Sequence, residues 1–209
     1  MLGLPSTTEV GRRMPKELFY RNLKLDARTK DEFVQLIDRI EIANSVQAKT
    51  ANVADGERVH EVDVLRVALK GSEVPRRALG AVAKANAHKL VFVVEPGVEA
   101  GGAADEWLWQ DGALVEAAHL GDLVIKGATM DQVWDSFRAQ MLFGDENGEA
   151  IEARIEAARK VNALEREVAQ LDARCRRERQ IAKRNRLFEQ VRARKAALEQ
   201  ARAALARWK

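Results

Sequence analysis

The chain has 209 residues, 46% of them hydrophobic, which is enough for one core with an appendage and leaves no room for two full enzyme domains. Its formal charge of +3 conceals an uneven split, because positions 150–209 hold 17 Lys and Arg against 8 Asp and Glu, or +9, and the remainder carries −6. A single cysteine, Cys175, excludes an internal disulfide and sits among arginines, the opening Met1-Leu2-Gly3-Leu4-Pro5 is no secretory leader, and no apolar run approaches a membrane span, so a reducing cytoplasmic setting is expected.

A short turn or helix is expected around Pro15 to Tyr20. A firmer helix starts near Thr29, where Thr29 and Glu32 have capping-box spacing and Phe33, Leu36, Ile37 and Ile40 share one face. From Ile40 the pattern shifts toward alternation through Ile42 and Val46, the mark of a strand. Val59 to Leu69 is a clearer strand, with Val62 and Val64 on one face and Leu65, Val67 and Leu69 on the other. Gly71 and Ser72 stop it, and Pro75 suits the first turn of a helix to about Asn86 with Leu79, Val82 and Ala83 as its stripe.

Leu90 to Val94 is a continuous apolar run closed by Pro96-Gly97, as in a central strand covered on both sides. Two further strands, Glu106 to Gln110 and Ala113 to His119, flank Asp111-Gly112 and predict a hairpin. Leu123 to Ile125 adds an edge strand. Thr129 then caps a helix bearing Met130, Val133, Trp134, Phe137 and Met141, which ends at Gly144 to Gly148. The expected class is α+β: a small mixed β-sheet with helices mainly on one side, over residues 1–146.

Beyond Gly148 there is neither Gly nor Pro, and strong helix formers dominate, so residues 149–209 are expected as a basic, coiled-coil helical arm. Leu164, Val168, Leu171 and Cys175 form one seam; Leu187, Val191, Leu198, Leu205 and Trp208 form another, two residues out of phase with the first. A slip of two residues turns the second stripe by roughly 200°, which a straight helix cannot reconcile. The arm is therefore expected to fold back as an antiparallel hairpin with its tip within Arg176 to Arg186, and its seams also allow a homo-oligomer.

Arg174, Arg176, Arg177, Arg179, Lys183, Arg184 and Arg186 crowd the tip with one acidic neighbour, Glu178. Such a run can neutralise nucleic-acid phosphates, and it can equally meet an acidic protein surface; no aromatic interleaves it for base stacking. His60, His88 and His119 stand at no metal-ligand spacing, and Cys175 has no histidine partner, so neither metal, cofactor nor nucleophile is assigned. A nuclease would need a carboxylate pair with Glu-x-Lys to hold Mg²⁺. Glu61, Asp63 and Lys70 invite that comparison, but Ala68-Leu69-Lys70 lacks the required glutamate. Trp107, Trp109 and Trp134 read as core packing in preference to an aromatic ligand box.

The opening Met1 to Val10, Met14-Pro15-Lys16-Glu17 and Phe19-Tyr20, then Ile37-Asp38-Arg39-Ile40, Glu61-Val62, Gly127 with Asp131 and Trp134, and Arg177-Glu178-Arg179-Gln180 through Asn185 resemble the bacterial family known as domain of unknown function 4391. The resemblance implies a neighbourhood of DNA methyltransferases and helicases in restriction-like or anti-phage clusters, and no known active site. Family members often carry a glutamate in the strand that ends in Lys, where this chain has Val67-Ala68-Leu69-Lys70. The expected function is a non-catalytic accessory or adaptor subunit that binds a helicase or methyltransferase partner, and DNA through its arm. The alternative is a divergent metal-dependent nuclease centred on Glu61, Asp63 and Lys70.

Overall fold

The computed structural model describes residues 2–110 and 112–208. They form two compact units, Met1–Glu149 and Ala150–Lys209.

The first unit is built on one six-stranded mixed sheet. Its elements run β1 (Glu9–Met14), α1 (Glu17–Asn22), α2 (Ala27–Gln35), β2 (Ile37–Gln47), α3 (Ala48–Ala51), β3 (Glu61–Leu69), α4 (Arg76–Ala85), β4 (Lys89–Glu95), β5 (Asp105–Gln110), β6 (Ala113–Glu116) and α5 (Met130–Phe143). The strands lie side by side in chain order. Every neighbouring pair is antiparallel except β3 and β4, which run parallel because α4 carries the chain back across the sheet between them.

Both faces of the sheet are covered, which corrects the expectation of helices mainly on one side. Strands β3 and β4 are apolar on both faces, so one cover would leave the other set of valines in water. On one face, Phe33 of α2 and Leu79 and Val82 of α4 pack over Leu65, Val67, Phe92 and Trp107. On the other, Val133, Trp134 and Phe137 of α5 pack over Val62, Val64, Val91 and Leu108. Trp107 and Trp134 therefore serve opposite cores and form no shared aromatic box.

Local differences from the sequence expectation have local causes. Helix α2 starts two residues before Thr29, because the Asp26 carboxylate accepts the Thr29 backbone N–H at 2.8 Å and acts as the cap. Ile37 and Ile40 continue the stripe of α2 by spacing, yet they already belong to β2, opposite Leu69 and Val67. Strand β1 has no apolar alternation and is mostly exposed; its pairing with β2 holds it. Leu123 to Ile125 is no strand, since both backbone polar groups of Val124 are bonded at 2.8 Å by the side-chain amide of Gln140, and Leu123 N–H reaches the carbonyl of Leu2. The β5–β6 hairpin forms, with Gly112 at a φ of 76° that suits glycine, although Asp111 lies outside the described residues and β6 ends at Glu116, short of His119. Thr129 caps α5 by accepting from the Gln132 N–H.

The second unit is a pair of long helices, α6 (Ile151–Arg177) and α7 (Ile181–Ala206), joined by Glu178, Arg179 and Gln180. Val161, Leu164 and Val168 of α6 meet Ala197, Leu198, Ala201 and Leu205 of α7. The partners run in opposite senses: Glu165 pairs with Arg202 near the far end, and the Cys175 thiol faces the Arg184 carbonyl near the turn. The two seams are thus out of phase because each serves one arm of an antiparallel pair. Among the described residues, no helix is long and apolar enough to cross a membrane.

Candidate functional site

All seven predicted basic residues come together at the turn between α6 and α7. Arg174, Arg176 and Arg177 end one helix, Arg179 lies in the turn, and Lys183, Arg184 and Arg186 open the next; all are exposed. Among the described residues none of the seven enters an ion pair. The one acidic neighbour, Glu178, uses its carboxylate to accept the Gln180 backbone N–H at 2.8 Å, which shapes the turn. The shaft is different: Glu165 pairs with Arg202, Glu167 with Arg194 and Asp172 with Lys195. Three cross-helix ion pairs thus offset charge along the hairpin, while among the described residues the seven cations at its end have none.

Two apolar side chains also stand in solvent beside this charge. Ile181 and Phe188, seven residues apart on α7 and so on one helical face, are 69% and 60% exposed. The sequence reading found no aromatic within the basic run, and Phe188 lies two positions beyond its last arginine. Its exposure was hidden because it neighbours Leu187 and Val191, which belong to the seam.

The sheet carries a second polar cluster, which spacing along the chain did not reveal. Strands β3 and β4 are parallel with Val62 opposite Lys89 and Asp63 opposite Leu90, so their first residues start side by side. That register brings His88 against Glu61 and Asp63. The His88 Nδ1 lies 3.0 Å from an Asp63 carboxylate oxygen and 3.5 Å from a Glu61 oxygen. One ligand-type atom from each of the three falls within 4.8 Å of the others. Spacing along the chain puts no histidine at a metal-ligand separation, and the proximity of His88 to two carboxylates comes from topology: parallel strands joined by a helix align residues some 25 positions apart. In the sequence Glu61 and Asp63 fall in the first half of the predicted strand Val59 to Leu69 and His88 lies two residues before the predicted strand at Leu90, and only the parallel register joins them.

Strand β2 completes the surroundings. Ser45, opposite Asp63 in the ladder, donates its hydroxyl to Glu61 at 2.5 Å, and Gln47 donates its amide to the Ser45 oxygen at 3.2 Å. Burial alone would raise the Glu61 pKa; the hydrogen bonds from Ser45 and Gln47 and the positive character of His88 outweigh it, leaving the carboxyl below its ordinary value. Asp63 is 5% exposed, and burial with the adjacent Glu61 charge pushes its carboxyl up against the opposing hydrogen bond from His88. Lys70 does not join them. It follows the end of the same strand, seven residues from Asp63 and so roughly 20 Å away, with its ammonium donating to the carbonyl of Val34 at 2.7 Å. His60 forms a separate, exposed pair with Asp55, and the His119 ring packs near Gly144. Cys175 is a partly buried free thiol at the hairpin seam.

The family described as Domain of unknown function (DUF4391) matches residues 2–105 and 101–198, which cover both units. The chain belongs to the DUF4391 family. No curated protein and no solved structure matches this DUF4391 chain. The positions that carried the resemblance are distributed over both units of this DUF4391 chain, and some have evident structural roles. Asp131, for example, accepts the backbone N–H groups of Glu57, Arg58 and Val59 and so ties the loop before β3 to α5.

Proposed function

We propose that this protein is a non-catalytic adaptor in a bacterial DNA-modification or anti-phage system, whose helical hairpin reaches a nucleic-acid backbone and whose acidic body docks a helicase or methyltransferase subunit. The observation that supports it is the tip of the hairpin: seven exposed cations with no ion-pair partner among the described residues, held at the end of a shaft crossed by three ion pairs. Uncompensated surface cations are stabilised most by a polyanion, because each phosphate contact releases a condensed counterion. We read the shaft as a two-stranded antiparallel coiled coil. Its seam is closed within the chain, so it supplies a rigid spacer without requiring a second copy. The partner class is taken from the neighbourhood that the family resemblance implies, and the net charge of −6 outside the hairpin suits a basic docking surface. The protein would act in a cytoplasmic setting.

The test is affinity for a short duplex and a short single strand across a salt series. Replacing Arg176, Arg177, Arg179 and Arg184 together by Gln keeps helix propensity and removes four charges. The log–log salt slope is expected to flatten by about 3, at roughly 0.7 to 0.9 per lost phosphate contact, with helicity preserved by circular dichroism. Unchanged affinity and slope would remove the nucleic-acid role of the tip. Co-purification with neighbouring helicase or methyltransferase gene products tests the body, and a chain that stays monomeric beside all of them overturns the docking role.

A further inference from the structure

We propose that Glu61, Asp63 and His88 bind a divalent transition-metal ion at the aligned starts of β3 and β4. The argument rests first on distance. Nitrogen and oxygen ligands sit at about 2.0 to 2.2 Å from ions such as Zn²⁺, so two of them at tetrahedral or octahedral angles lie roughly 3.0 to 3.5 Å apart. The His88 nitrogen already stands 3.0 Å from Asp63 and 3.5 Å from Glu61, and all three ligand atoms fit within 4.8 Å. A small side-chain rotation closes the remaining edge.

The second ground is the way the ligands are held. Glu61 and Asp63 share one face of β3, and His88, the residue just before β4, is set beside them by the parallel register that starts at Val62 and Lys89, so two ligands sit on a paired strand and the third directly at the start of the next. Ser45 engages one oxygen of Glu61, which leaves the other turned to His88; Gln47 in turn fixes the Ser45 hydroxyl. Hydrogen bonds of this outer kind orient a ligating carboxylate and set which oxygen is free.

Charge gives the third ground. Two neighbouring carboxylates, one of them almost wholly buried, are costly unless a cation lies between them. One imidazole nitrogen, His88 Nδ1, approaches both of them. The contrast is His60 with Asp55, where a single exposed carboxylate meets an exposed ring and, among the described residues, no third ligand completes a group. Two oxygens and one imidazole nitrogen, with no thiolate, suit borderline divalent ions such as Zn²⁺, Co²⁺ and Mn²⁺ better than soft monovalent copper. The His88 side chain is 41% exposed, so the remaining coordination positions open to water or to an oxygen of a bound anion.

The experiment uses the full, untagged chain after treatment with a chelator. Zn²⁺ is titrated calorimetrically, and Co²⁺ is followed by its visible absorption. Saturable binding of one ion per chain is expected, with Co²⁺ bands distinct from those of the hydrated ion. His88→Ala and Asp63→Asn should each weaken binding by at least about tenfold, and His60→Ala should leave it unchanged. Should Asp63→Asn fail to fold, His88→Ala decides, because that ring is half exposed and its loss leaves both cores intact. Absence of saturable binding in the unaltered chain, or equal binding in the His88→Ala variant, overturns the site. Loss of binding in His60→Ala alone would do the same by assigning the ion to the exposed pair.

Discussion

His88 and Asp63 stand 25 positions apart in the chain, yet Nδ1 of the one lies 3.0 Å from a carboxylate oxygen of the other. The contact is a product of topology. One helix, α4, carries the chain from the end of β3 back to the start of β4, and a parallel register then sets strand starts side by side. The same return path makes β3 and β4 central strands, which is why a polar cluster and two hydrophobic cores share so few residues.

Ser45 is expected to govern how Glu61 titrates. Its hydroxyl stabilises the charged form of the carboxyl, which otherwise pays for burial, so Ser45→Ala should raise the Glu61 pKa toward or above its ordinary value. Carbon-detected NMR titration of the Glu61 side chain reads this directly. A Glu61 pKa unmoved by the substitution would show that Gln47 and His88 alone hold the charge.

Asp131 is expected to matter for stability more than for any partner. Burial pulls its carboxyl up, but backbone N–H donors from Arg58, Glu57 and Val59, with the Arg58 charge, outweigh burial and lower the pKa. A carboxyl depressed in the folded state adds stability that is fully present above its unfolded pKa and is lost as pH falls through the folded one. Asp131→Ala should cost about 1.5 to 3 kcal/mol at neutral pH, since hydrogen bonds to a charged group are worth more than neutral ones and one of the three donors, that of Val59, is on a buried residue. Urea unfolding at neutral pH and again at about pH 3 should show the difference between variant and parent shrinking in acid.

Gly144 ends α5 with a φ of 74°, and an added Cβ would stand 2.8 Å from a ring nitrogen of His119. Left-handed backbone costs an L-residue about 1 to 2 kcal/mol, so Gly144→Ala should lower stability by at least that amount. Gly144→Asn should cost less for backbone alone, because Asn tolerates this conformation. Equal, negligible losses in thermal unfolding would mean that the helix end relaxes freely.

Much of this fold is legible in the sequence, and the parts that are not have physical reasons. Strand β3 showed its two faces through Val62 and Val64 against Leu65, Val67 and Leu69, and the structure assigns those sets to opposite cores. The apolar run of β4 and the cap at Thr129 were equally plain. Strand β1 was silent, since an edge strand exposed on both sides needs no alternation. Leu123 to Ile125 misled for the opposite reason: apolar residues filled a core while the Gln140 side chain took the place of a neighbouring strand. At the candidate sites the division is similar. The basic tip is a local feature and could be read from seven basic residues between positions 174 and 186, whereas the cluster of Glu61, Asp63 and His88 exists only once a long-range register is known.

Leu198 is buried in the seam between α6 and α7, with Val161, Leu164 and Ala201 in the same cluster. Leu198→Ala should cost the hairpin about 2 to 5 kcal/mol, the usual range for a truncated buried leucine. A hairpin of two helices has few other apolar contacts to absorb the loss, so helicity measured by circular dichroism should fall at lower temperature than in the parent. Unaltered melting would show that the cross-helix ion pairs, and not the seam, hold the helices together.

Phe188 offers a way to separate charge from stacking at the tip. Its ring is 60% exposed on the face of α7 that also carries Ile181, next to cations that have no internal partner, and it contributes little to the seam. Phe188→Ala should therefore leave stability and helicity close to those of the parent. Base stacking on an aromatic side chain is worth about 1 to 3 kcal/mol, and only an unpaired base presents a free face. If the tip engages nucleic acid in the proposed manner with the ring in contact, Phe188→Ala lowers affinity for a short single strand by roughly fivefold or more and leaves duplex affinity unchanged. The salt slope should not move, because no phosphate contact is lost. Equal loss on both substrates would instead place the ring against the sugar–phosphate backbone, and no loss on either would leave the arginines as the whole of the interface.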